Sequence, residues 1–162
     1  MSAILGGDPY TMNDLTPRMT PGTIFDGVDS LGQPAKFRYV KHVNAVATVA
    51  GHCAVLAALP AEGTYTVTND VAGGATTPIA GPIGVGVYLR AVTENYYCAV
   101  LVQGYHATAL GDGSVAAGEE VTAKATDGTF DTDAGAALKV VGVCIEDDAG
   151  SPTTFKGIFN FL

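Results

Sequence analysis

Basic residues are scarce in this chain: eight Lys and Arg stand against sixteen Asp and Glu, a formal net charge of −8. Phosphate backbones are held by clustered Lys and Arg, so nucleic acid is not expected as a partner. Long apolar runs are lacking too. The most apolar stretch, 42–59, is interrupted by Asn44, Thr48, Gly51 and His52. That falls short of the ~18 consecutive apolar residues a spanning helix requires, so a soluble chain with no membrane partner is expected. The opening MSAILGGDPYTMND lacks the basic and apolar regions of a secretion signal, which predicts synthesis in the cytoplasm. Cysteine is sparse. Cys53, Cys98 and Cys144 are odd in number, far apart and set in apolar runs such as HCAVLAAL and YYCAVLV. They read as small buried hydrophobes in a reducing compartment rather than a disulfide framework.

Catalytic signatures are missing as well. His42, His52 and His106 are not accompanied by a G-x-S-x-G elbow, and no two Cys or His residues have zinc-ligand spacing. The segment GDGS at 111–114 lacks the Lys and helix start of a phosphate loop and reads as a hairpin turn. Asp127, Asp131 and Asp133 in DGTFDTD could offer oxygens to calcium, but their spacing departs from the EF-hand pattern. Glu146, Asp147 and Asp148 read as a solvated hairpin tip. No enzyme activity, metal or cofactor is expected.

What the chain does have is apolar content, 48 % hydrophobic over 162 residues. That suffices for one packed domain plus an added segment. The first 35 residues carry Gly6, Gly7, Pro9, Pro17, Pro21, Gly22, Gly27, Gly32 and Pro34, so neither a helix nor a central strand is expected there. They read as an extended N-terminal arm. Yet the arm also carries Tyr10, Met12, Leu15, Met19, Ile24 and Phe25, which a freely solvated tail has no reason to display, together with Arg18.

From Lys36 onward β-branched and aromatic residues alternate between Gly, Pro and Asp turns. Strands are expected at 37–46, 52–59, 64–69, 85–93, 96–109, 120–126, 137–146 and 153–162, and no helix. The fold class is all-β: a small antiparallel β-barrel or sandwich over 36–162, with the arm at 1–35. Residues 97–102 lack polar alternation and should have both faces covered. Phe155, Phe159 and Phe161 should share one face of the last strand, and 71–84 reads as a long surface loop. Lys36, Arg38 and Lys41, beside His42, gather three of the eight bases at the junction of arm and barrel. They form either a docking patch or a charged strand edge that blocks stray pairing. Lys36 and Arg38 should share a strand face with His42, and Lys41 the opposite face with Phe37 and Tyr39.

An arm, then KFRYVKHVNAVA, YYCAVLVQG, AAGEEVTAKATDGTF and a closing VVGVCIEDD follow in an order that resembles the small β-barrel decoration, or cement, proteins on the heads of tailed phages. The resemblance spans 36–162. It implies a homotrimer in the virion that binds the outer surface of the capsid and staples neighbouring major capsid proteins. The residues expected at the capsid or subunit contact are Tyr10, Met12, Leu15, Arg18, Met19, Ile24, Phe25, Lys36, Arg38 and Lys41. Two other readings stand beside it. A tail, fibre or baseplate component differs by its place in the particle, and a small hydrolase or ligand-binding barrel by a deep pocket with a His and perturbed acids.

Overall fold

The period-two segments form strands in the computed structural model, which describes residues 7–44, 48–61, 63–70, 83–113, 115–123, 128–132, 139–147 and 154–162. Ten strands follow in order: β1 (Ile24–Val28), β2 (Pro34–His42), β3 (Cys53–Leu56), β4 (Thr66–Thr68), β5 (Gly84–Tyr88), β6 (Tyr97–Leu110), β7 (Glu120–Ala123), β8 (Phe130–Thr132), β9 (Gly142–Glu146) and β10 (Thr154–Asn160). No helix occurs among the described residues. The fold is all-β, as expected. Each of the eight expected strands has a counterpart, while the 71–84 loop lies outside the described residues over 71–82.

Five strands close a ring in the order β2–β4–β3–β5–β6, shut by pairing of β2 with β6. Closure leaves the ring without a free edge, the hazard that open sheets must otherwise manage. The barrel is not purely antiparallel, because β2 and β4 run parallel, with Lys41 opposite Thr66. β6 then continues beyond the ring. Its later residues, from Gln103 to Leu110, pair with β10, and β9, β7 and β8 follow outward as a sheet extension.

Strand β6 shows why alternation is absent at its centre. Residues Cys98, Ala99, Val100, Leu101 and Val102 are all buried, as the apolar run predicts. One face looks into the ring, where Arg38 and His42 of β2 meet Tyr65 and Tyr88. The opposite face of β2 and β6 carries Phe37, Tyr39 and Tyr97, and the N-terminal segment covers it. Tyr10 packs edge-on against Phe37, Phe25 lies 5.7 Å from the same ring, and Asp14 exchanges backbone hydrogen bonds with Tyr97 at 2.7 and 2.8 Å.

The arm expectation is corrected on two points. Residues 24–28 are a strand, paired with β2 from Ile24 opposite Arg38 to Val28 opposite Pro34, and the boundary at 35/36 falls inside β2. Gly27 and the nearby Pro21 and Gly22 conceal this strand in the sequence, but an existing β2 edge supplies the ladder that a lone segment lacks. Met12, moreover, is 1 % exposed in the chain's own core, with Tyr10, Met19 and Phe25 packed against that core. Burying a large apolar side chain contributes about 1.5–3 kcal/mol, which helps offset the ordering of the segment. Met12 is therefore not available to another molecule.

On the sheet extension the core is aromatic. Phe130 of β8 packs against Phe155, Phe159 and Phe161, with centroids 5.0 to 6.5 Å apart. The shared face expected for the three C-terminal phenylalanines is this cluster. β8 itself falls within DGTFDTD, where no strand is expected from the sequence.

Candidate functional site

Burial keeps the thiols and His106 in their neutral forms, Cys53 and Cys98 in the ring and His106 and Cys144 in the extension. Burial pushes the Cys53 thiol far up and the Cys98 thiol up to about 12, and it also raises Cys144. Thiols held protonated at neutral pH are poor nucleophiles. His106 is pushed down to about 4 by desolvation, and its Nδ1 accepts a hydrogen bond from the Thr108 N–H at 3.2 Å. The His42 ring lies 2.9 Å from the Tyr88 hydroxyl and meets that ring edge-on. The His42–Tyr88 contact pairs two buried polar groups inside the apolar ring. Among the described residues no three metal-ligating side chains gather. Asp131 lies in β8, while Asp127 and Asp133 lie outside the described residues.

The expected contact residues scatter over the chain's own partners. Arg18 pairs with Asp14 at 2.6 Å and Lys36 with Asp26 at 2.7 Å. Arg38 lies over the Tyr65 ring at 5.0 Å and donates to its hydroxyl at 2.8 Å, while Lys41 stands 5.9 Å from the Tyr97 ring centroid. Arg38 and Lys41 face opposite sides of β2, as period two requires. The three bases therefore form no single patch. Of the arm residues, Leu15 is 69 % exposed and Ile24 also stands open, whereas Met12, Tyr10, Met19 and Phe25 are packed inward.

Strand register assembles a surface that the sequence does not announce. On the sheet extension Tyr105 of β6 lies opposite Ile158 of β10, Ile158 opposite Val143 of β9, and Val143 opposite Glu120 of β7. Paired residues project to the same side of a sheet, so these four form one row. Ile158 is 54 % and Val143 42 % exposed. At the Tyr105 end, the tip of the β1–β2 hairpin is tied on through Asp29, whose Oδ2 accepts the Tyr105 N–H at 3.1 Å. That hairpin adds the exposed Val28, opposite Pro34, and Leu31. A polar row runs alongside: Asp26 opposite Lys36, Lys36 opposite Gln103, and Gln103 opposite Asn160. Each strand shows its outward apolar residue in sequence, but only pairing between distant segments brings them into line.

These features define the class: a closed five-stranded β-barrel whose longest strand carries a second sheet. No protein-family description matches the chain, and no curated protein matches it. Among solved structures its fold is similar to the N base of the head fiber gp8.5 in bacteriophage phi29, with a TM-score of 0.50 and 11 % identity. The likeness covers 77 % of this chain and 95 % of that one.

Proposed function

We propose that this chain is a non-enzymatic structural protein of a tailed-phage head, carried on the outer surface of the capsid. The observation that carries the reading is the fold likeness to the phi29 head-fibre base, which takes in 95 % of that chain. In this reading the protein staples neighbouring major capsid proteins and acts as a homotrimer, so that individually weak contacts gain from high effective concentration. Of the expected contact residues in the arm, Leu15, Arg18 and Ile24 are exposed enough to reach the shell.

The test is co-sedimentation of the purified chain with heads of the phage that encodes it, prepared without the chain, followed by cryo-microscopy of the loaded heads. Density for the barrel on the outer shell is the expected result. Recovery of the chain only in the supernatant would sink the reading. Sedimentation velocity of the free chain tests the trimer. The same likeness favours a second reading, the base of a head fibre. A fibre rising from each barrel in the micrographs would select it over a cement role.

A further inference from the structure

We propose that the row Val28, Pro34, Tyr105, Ile158 and Val143, ending at Glu120, is a docking face for a different protein that presents an apolar ridge with a Lys or Arg at its end. The identity of that partner as a shell protein rests on the proposed head function; the chemistry of the face does not.

The row crosses six strands, which at a spacing of 4.7–4.9 Å spans about 24 Å. That reach suits a contact of standard size, ~800 Å² per partner. Its central members Ile158 and Val143 are held by backbone ladders on both sides: β10 sits between β6 and β9, and β9 between β10 and β7. A surface fixed in this way loses little conformational freedom on binding. The other face of β10 is fully used, since Phe155 and Phe159 are buried in the aromatic cluster. Ile158 and Val143, opposite one another on the outer face, remain 54 % and 42 % exposed.

Charge identifies the occupant. The lysines of β2 and β10 beside the row are already matched within the chain, Lys36 with Asp26 at 2.7 Å and Lys156 with Glu146 at 2.9 Å, and the exposed Lys139 ahead of β9 stands against the exposed acids Glu119, Glu120 and Asp147. Glu120 is exposed at the end of the row and makes no ion pair among the described residues. The surplus is therefore negative, on a chain whose net charge is −8. A second copy laid on this face would set like charge against like charge, which costs affinity, whereas a basic partner gains from the same field. A basic side chain opposite Glu120 also fixes the direction in which the ridge lies.

The experiment compares wild type, the Val143→Thr/Ile158→Thr double variant and Glu120→Lys in co-sedimentation with the same chain-free heads. Threonine keeps β-branching on the strand, and Glu120→Lys changes an exposed charge, so thermal melting should place both variants near wild type. The double variant is expected to bind about tenfold or more weakly. Glu120→Lys is expected to bind about tenfold more weakly at low salt, with the deficit shrinking at ~0.5 M salt as screening removes the charge term. Wild type and both variants binding alike would overturn the docking face and leave the head function standing. Absence of wild-type binding would overturn the head function and this partner together. Wild type that self-associates in sedimentation velocity, with variants that run as monomers, would overturn the heterologous partner in favour of a second copy.

Discussion

The backbone N–H of Arg18 donates to the Tyr39 hydroxyl at 3.1 Å, which latches the N-terminal segment to the barrel wall. Beneath that latch Tyr39 and Tyr97 lie stacked, 11° from parallel with centroids 5.9 Å apart. The segment is thus part of the fold. Met12→Ala, at a position 1 % exposed, should cost about 2–5 kcal/mol in denaturant unfolding. Leu15→Ala, at 69 % exposure, should change stability by less than about 0.5 kcal/mol. Equal costs at the two positions would contradict this packing.

Gly51 offers a sharper test of backbone fit. Its φ is +91°, and a Cβ there would stand 1.9 Å from the Thr108 carbonyl oxygen, while the Gly51 N–H donates to the Tyr88 carbonyl at 2.8 Å. Gly51→Ala must move one backbone off another and should cost more than about 3 kcal/mol. Gly32, at φ +76° with nothing within 4 Å of a built Cβ, carries only the conformational penalty. Gly32→Ala should cost about 1–2 kcal/mol. Matching melting temperatures for the two variants would refute the close approach.

Acid should weaken the fold through His106. The folded chain holds this imidazole near 4, against 6.5 ordinarily, because burial disfavours its charged form. As pH falls through 6.5 the unfolded chain takes up a proton that the folded chain refuses, so the folded state loses ground between pH 6.5 and about 4. The loss should approach about 3 kcal/mol, and above pH 6.5 this contribution is fully present. His106→Gln should flatten the slope of stability against pH across that window. An unchanged slope would assign the acid sensitivity elsewhere.

The thiols should be silent until the chain unfolds. Cys53, Cys98 and Cys144 are each 1 % exposed or less, and burial raises all three. A disulfide reagent at pH 8 should titrate no thiol in the native protein and three in denaturant. Rapid reaction of any of them in native conditions would show that the sheet around that thiol opens locally.

Within the second sheet, Phe130 touches the rings of Phe155, Phe159 and Phe161. Phe130→Ala should cost about 3–5 kcal/mol, since three aromatic neighbours lose their common partner. A loss below about 1 kcal/mol would mean that the cluster collapses to refill the space.

Much of this architecture can be read from residue order. The Tyr65/Val67 alternation, the apolar centre of β6 and the three C-terminal phenylalanines each point to their observed setting, because period two and burial act locally. β1 and β8 cannot be read this way. Ile24–Val28 contains an Asp and a Gly, and Phe130–Thr132 is three residues long, so each is a strand only because a neighbouring edge is there to pair with. The outer row was hidden for a related reason. Ile158, Val143 and Tyr105 are neighbours through register, a property of segments distant in sequence. Conversely, the greasy N-terminal residues signal that something must cover them without saying what, and the cover for Met12 is their own barrel.

Strand β6 belongs to both halves of the molecule, pairing with β2 and β5 in the ring and with β10 in the extension. At 14 residues it is about 45 Å of continuous backbone. Tension applied to the barrel therefore reaches the second sheet along one strand rather than through a linker. Pulling the halves apart lengthwise would load the flanking ladders in shear, many bonds at a time, instead of peeling them singly.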